Sequence, residues 1–211
     1  MSNAIAHRGP DGEGTFMDGP LGLGHRRLAI LDLSPLGRQP MQTPDGRFTI
    51  VYNGEVYNFQ ELRVELESLG HCFRSRTDTE VLLHAYAHWG TSCVERFNGM
   101  FALAVWDQRR QELFLARDRY GIKPLYYAIH DNTFLFASEQ KAILTYPGLR
   151  RDLDLEALLE YLTFQNLFTD RTLLKDIKLF PPGTYLEINL PALSNSSLPP
   201  FPLPLHPILG L

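Results

Sequence analysis

Between Met100 and Ala137 four short runs rich in apolar, β-branched and aromatic residues follow one another, Met100–Trp106, Glu112–Arg117, Leu125–Ile129 and Thr133–Ala137. Polar turns at Gln108–Gln111 and His130–Asn132 punctuate them, and hairpins in series imply a largely antiparallel sheet. Further strand patterns flank this region. Leu21–Leu33 is apolar with turn residues at both ends, Phe48–Tyr52 follows the Pro44-Asp45-Gly46 turn, and Thr184–Asn189 follows Pro181-Pro182-Gly183. Helical patterns come in a separate group. Asn58 with Glu61 resembles a capping box, and Leu62, Leu66 and Leu69 make a stripe that ends at Gly70. Thr77 with Glu80 repeats the cap before Val81, Leu82, Ala85, Tyr86 and Trp89, which stop at Gly90. Leu153–Phe164 carries a third apolar face at Leu155, Leu158, Leu159 and Leu162. Strands and helices in separate runs predict an α+β architecture.

The chain has 211 residues, 44% of them hydrophobic, which suits one domain with a real core. Its 20 Lys plus Arg against 24 Asp plus Glu give a net charge of −4, and without a long basic run nothing draws it to nucleic acid. Cys72 and Cys93 have no zinc-ligand spacing and make no disulfide framework, so both read as small buried hydrophobes. No apolar run approaches the roughly 20 residues that span a bilayer, and no membrane partner is expected; a cytoplasmic location follows as the default. Residues 1–189 read as the domain. From Leu190 to Leu211 the composition changes, and Pro191, Pro199, Pro200, Pro202, Pro204 and Pro207 remove backbone donors, so this tail is expected to lack regular structure.

Four polar segments stand apart from the core pattern. In His7-Arg8-Gly9-Pro10-Asp11-Gly12-Glu13-Gly14, glycines and a proline force a tight path; a surface turn would account for it alone. Gly24-His25-Arg26-Arg27-Leu28-Ala29-Ile30-Leu31-Asp32 is an apolar run entered through basic residues, where an arginine can grip a carboxylate or simply be solvated. Tyr52-Asn53-Gly54-Glu55-Val56-Tyr57-Asn58 lies between a strand and a helix and contains the Asn-Gly pair also common in hairpin turns. Arg76-Thr77-Asp78-Thr79-Glu80 opens a helix, where the helix dipole by itself favours an acid.

In order and spacing these segments, with FNGMFALAVWD, LARDRYGIKPLYY and FASEQKAIL, resemble the class II (N-terminal-nucleophile) glutaminase domain of glutamine-hydrolysing asparagine synthetases over residues 4 to 189. Related class II amidotransferases share the fold, and LARDRYGIKPLYY with FASEQKAIL favours the asparagine synthetase branch. The resemblance implies an α-β-β-α sandwich of mostly antiparallel sheets. It implies glutamine as ligand, with Arg27 on the α-carboxylate and Leu28, Ala29, Ile30 and Leu31 walling the pocket. Asp78 would pair with the α-ammonium, with Glu55 on the same side, and Asn53 and Gly54 would form the oxyanion hole. No metal or cofactor is expected in this chain, since ATP and Mg would belong to the family's synthetase domain.

In the family the nucleophile is an N-terminal cysteine in a Cys-Gly-Ile strand some tens of residues before the HRGPDG turn. Only six residues precede His7, and Met1 resembles an internal methionine of the helix before that turn. The first strand and the nucleophile are therefore expected to be missing, and so is the synthetase domain. Ser2 with a free amine is a chemically possible substitute, but to serve it must leave the helical path of residues 2 to 6. Three readings stay open: a truncated, inactive glutaminase domain; a non-catalytic glutamine-binding or partner-binding module, its partner a synthetase domain or a second copy; and a misplaced start site or shifted frame.

Overall fold

A computed structural model of the chain describes residues 1–190 and 203–209. Residues 2–8 form 3-10 turns and lead into a hairpin of β1 (Gly12–Asp18) and β2 (Leu21–Arg27). β3 (Met41–Gln42) and β4 (Phe48–Val56) precede two helices, α1 (Phe59–Ser68) and α2 (Asp78–Trp89). Then come β5 (Gly99–Asp107), β6 (Glu112–Arg117), β7 (Tyr126–His130) and β8 (Thr133–Ala137). The chain continues through α3 (Gln140–Ile143), α4 (Leu155–Phe164), β9 (Lys178–Leu179), β10 (Thr184–Asn189) and β11 (His206–Pro207). The strands form a six-stranded sheet ordered β11-β10-β6-β5-β4-β3, a three-stranded sheet β8-β7-β9 and the β1-β2 ribbon. Every strand pairing is antiparallel.

Alternation along β5 explains the layering. Phe101, Leu103 and Val105 face α1 and α2, where they pack with Ile50, Leu66, Val81, Leu82 and Tyr86. Ala102, Ala104 and Trp106 face the other way, onto Leu21, Leu23, Leu125, Tyr127 and Phe180. A third cluster of Ala128, Leu135, Ile143 and Ile177 joins the β7-β8 face to α3. The result is helix, sheet, sheet, helix, as expected. Because the six-stranded sheet is covered on both faces, β5 and β6 read as near-continuous apolar runs. Trp106, Phe101 and Phe114 are fully buried there, each contributing about 1.5–3 kcal/mol of transfer free energy.

Several local expectations are corrected. β1 was hidden behind the glycines of HRGPDGEG, and β2 stops at Arg27 rather than Leu33. Beyond Arg27 the backbone bonds to nearby side chains instead of a ladder: Ala29 N–H donates to Asp11, and Ser34 N–H to Asp32. Leu28, Ile30 and Leu33 are consequently exposed. Asn58 starts α1 without capping it, since its amide bridges Arg96 C=O and Asn98 N–H. Thr77 does cap α2, accepting from Glu80 N–H, while the Glu80 carboxylate reaches back to Arg74 and Ser75. The α4 stripe faces outward, with Leu155, Leu159 and Leu162 exposed and only Ala157 buried. Cys93 is buried as expected, and Cys72 is exposed.

The tail departs from its expected lack of structure over residues 203–209. β11 adds to the sheet beside β10, pairing Tyr185 with His206 and Thr184 with Pro207, and Leu203 and Ile208 are buried. An outermost strand tolerates Pro207 because one of its edges needs no partner, and the uncharged apolar side chains supply the burial. Residues 191–202 and 210–211 lie outside the described residues, and so does that part of the expectation.

Candidate functional site

Where β4 and β5 meet β2, the 28–32 loop and β8, a cleft of about 510 Å³ opens between the layers. All nine residues singled out from the sequence border it: Arg27 at the end of β2, Leu28, Ala29, Ile30 and Leu31 after it, Asn53, Gly54 and Glu55 on β4, and Asp78 at the start of α2. Gln39, Tyr52, Lys123 and Ser138 border it too, and were not anticipated.

The free edge of β4 organises the cleft. β3 pairs with Thr49 and Ile50, so beyond them β4 has β5 on one side and, among the described residues, no strand on the other. Tyr52 N–H donates to Gln39 Oε1 at 2.6 Å, and Tyr52 C=O accepts from His25 Nε2 at 3.2 Å. Tyr52 and Leu103 are therefore opposed without mutual backbone bonds, and alternation gives Gly54 and Phe101 the same relation. Phe101 accordingly bonds to Asp118 through both its N–H and its C=O. Gly54 N–H thus points off the free edge, between the N–H groups of Tyr52 and Val56. Glycine is required there: a Cβ would lie 2.2 Å from Met100 O and 2.8 Å from Phe101 Cα.

Asp78 is 5% exposed, yet its carboxylate is well served. Oδ2 accepts from Tyr52 Oη at 2.8 Å and Val56 N–H at 3.2 Å, and Oδ1 accepts from Thr79 N–H at 2.8 Å. Burial raises its carboxyl above the usual aspartate range, the three donors oppose that rise, and the negative charge of Glu55 adds to it. Tyr52, buried against Asp78, has its phenol pushed well above the usual 10.

Arg27 occupies another wall of the cleft. Nη1 donates to Ser34 C=O at 2.8 Å and Nη2 to Asp32 C=O, so neutral carbonyls hold the guanidinium in place. Gly37 leaves room for it, since a Cβ there would stand 2.3 Å from Nη2. Among the described residues no carboxylate is paired with Arg27 at ion-pair distance. Asn53 directs its side-chain amide toward Ser138 Oγ at 3.5 Å, a contact too long to hold the donor firmly. His25 is half-buried, its pKa lowered to about 4 by desolvation, and among the described residues its Nδ1 has no partner. The groups bordering the cleft include the carboxylates of Asp32, Glu55 and Asp78, the guanidiniums of Arg8, Arg26 and Arg27, the Lys123 ammonium, and amide-type donors at Asn53 and Gly54; of these, Arg27 with Asp78 and Glu55 suits a zwitterion that also carries a carbonyl.

Other features are plain. Neither Cys72 nor Cys93 borders the cleft, and burial raises the Cys93 thiol far above its usual value. Ser2 borders it on the β2 side, in its 3-10 turn, with its C=O accepting from Arg26 Nε at 3.3 Å. Among the described residues no cluster of three or more His, Cys, Asp or Glu side chains is arranged to hold a metal ion, and no helix is long and apolar enough to cross a membrane.

Comparison with known proteins identifies the family and the fold. A protein-family profile described as a glutamine amidotransferase domain matches residues 1–197. The chain is 47% identical over 162 residues to asparagine synthetase (glutamine-hydrolysing) 3 of Bacillus subtilis, covering 76% of this chain and 26% of the relative. With asparagine synthetase (glutamine-hydrolysing) 1 of the same organism it shares 41% identity over 188 residues, covering 89% of this chain and 29% of the relative. The chain therefore spans less than a third of the length of these relatives. Among solved structures, the glutamine phosphoribosylpyrophosphate amidotransferase of B. subtilis superposes with a TM-score of 0.55 at 20% identity, over 80% of this chain and 32% of the other, a likeness of fold.

Proposed function

The chain belongs to the class II glutamine amidotransferase domains, of the kind found in asparagine synthetases, and from that premise we propose that its cleft binds free glutamine. The observation that carries the proposal is that Arg27, Asp78 and Glu55 border one cleft together with the donors Asn53 and Gly54. The guanidinium of Arg27, anchored without a carboxylate partner among the described residues, suits the α-carboxylate, with Leu28, Ala29, Ile30 and Leu31 as the adjoining wall. Asp78 and Glu55 suit the α-ammonium. Asn53 Nδ2 and Gly54 N–H then serve the side-chain carbonyl, whose oxygen becomes negative when a nucleophile adds to its carbon. One preorganised donor of that kind lowers a barrier by about 2.7–4 kcal/mol.

Hydrolysis by this family needs a thiol to attack the amide carbon, expel ammonia and leave a glutamyl thioester for water to open. The cleft holds no cysteine side chain, and Ser2 sits in a turn tied to Arg26. These 211 residues are therefore read as a glutamine-binding unit that releases no ammonia by themselves. The names of these relatives support a role for the whole protein in supplying amide nitrogen for asparagine synthesis, with a synthetase domain as the partner. The outward Leu155, Leu159 and Leu162 of α4 support such a docking partner.

An ammonia-release assay on the purified chain, with and without Asp78→Ala, tests the reading. The expected result is no release above background from either. Release at enzymatic rates that disappears in Asp78→Ala overturns the inactivity and leaves the glutamine assignment standing.

A further inference from the structure

We propose that Tyr52 is a positioning residue for ammonium recognition: its hydroxyl fixes the Asp78 carboxylate, so that Oδ1 faces the α-ammonium of a bound amino acid. The inference rests on the glutamine reading and assigns a group that acts through Asp78.

The geometry is economical. Asp78 Oδ2 is committed to the protein, taking Tyr52 Oη at 2.8 Å and Val56 N–H at 3.2 Å. Oδ1 accepts only Thr79 N–H, at 2.8 Å, among the described residues, and keeps further lone-pair capacity for a cation. A carboxylate 5% exposed with another carboxylate, Glu55, close enough to oppose its ionisation needs each of its donors to stay anionic. The hydroxyl is one of three and the only one supplied by a side chain.

Tyr52 is itself locked on every side. Gln39 takes its N–H and bonds Thr79 Oγ1 at 3.3 Å, while His25 donates to its C=O. The residue is 4% exposed and its ring lies beside Gly54, where an added Cβ would stand 2.8 Å from Tyr52 Cε2. One side chain therefore braces the acid that meets the ammonium and packs against the residue whose N–H serves the carbonyl. Gln39 extends the brace to the first turn of α2, tying that turn to the free edge of β4.

Tyr52→Phe removes one oxygen and keeps the ring, so the fold is retained and the inference stays separable from unfolding. Binding of L-glutamine and of 4-carbamoylbutanoate, the same molecule without its α-amine, is measured on the full chain and on the variant. The expected result is glutamine affinity weakened about ten-fold, the scale of one charge-assisted hydrogen bond, with affinity for the amine-free compound unchanged. Equal affinity of both proteins for glutamine overturns the inference alone, and so does equal weakening for both compounds, which marks a general disturbance of the cleft. No glutamine binding by the unsubstituted chain overturns the glutamine reading and this inference with it.

Discussion

Replacing Gly54 with alanine is expected to damage both the sheet and the cleft, by an amount set by β5. An alanine Cβ would arrive 2.2 Å from Met100 O and 2.8 Å from Phe101 Cα, and both are main-chain atoms of a central strand with no rotamer to change. Relief requires β4 and β5 to separate locally, and overpacking of this kind costs about 1–3 kcal/mol. For a domain of this size each kcal/mol lowers the melting temperature by about 2–4 °C, so the loss should fall between about 2 and 12 °C. Gly12→Ala is the matched control, because its Cβ would meet only Arg27 Cβ, at 3.9 Å. It should leave melting unchanged or raise it slightly, by the about 0.4–1 kcal/mol that alanine gains through the unfolded chain. Differential scanning calorimetry of the three proteins makes the comparison. Equal melting of Gly54→Ala and the parent chain would refute the claim that β5 backbone dictates glycine there.

Asp118, 0% exposed, accepts from the N–H groups of Phe101, Tyr120, Ile122 and Lys123; Asp118→Ala should cost on the order of 3 kcal/mol in denaturant unfolding and loosen the turn that brings Lys123 to the cleft. His25 titrates near 4 when folded and near its usual 6.5 when unfolded, so the unfolded chain binds more protons between those values. Its contribution is complete above about pH 6.5 and is lost as pH falls toward 4, a loss on the order of 3 kcal/mol that pH-dependent unfolding of His25→Gln should lack. Leu159, 68% exposed on α4, should tolerate Leu159→Glu within about 0.5 kcal/mol, while sedimentation should show weaker association with a synthetase domain or another copy.

The sheet was legible because alternation and turns are local signals. β6 and β8 begin and end where the sequence places them, and β5 differs by one residue at each end. What could not be read was the fate of amphipathic or polar segments whose partner lies far along the chain. Nothing local in Leu155, Leu159 and Leu162 distinguishes a stripe turned toward a core from one turned toward solvent, and nothing local in Asn58 reveals that its amide is taken by residues 96 and 98. The nine cleft residues were found through family motifs, since their chemistry taken singly fits surface turns and helix caps equally well. Tyr52 escaped notice for the opposite reason: in a strand pattern it reads as an ordinary buried aromatic, and its hydroxyl acquires meaning only beside Asp78, 26 positions on. Gln39 carried a weak signal, a polar side chain followed by Pro40 just before a strand, without a partner that sequence alone could name.

Isothermal titration of L-glutamine into the purified 211-residue chain reads binding and turnover in one experiment, because hydrolysis continues to release or absorb heat after binding has equilibrated. A saturable heat that disappears in Arg27→Ala and in Asp78→Ala, with a flat baseline between injections, is the predicted result. A sustained heat of turnover in the unsubstituted chain would contradict the absence of a nucleophile in the cleft. A saturable heat that survives both substitutions would contradict the assignment of the cleft to glutamine.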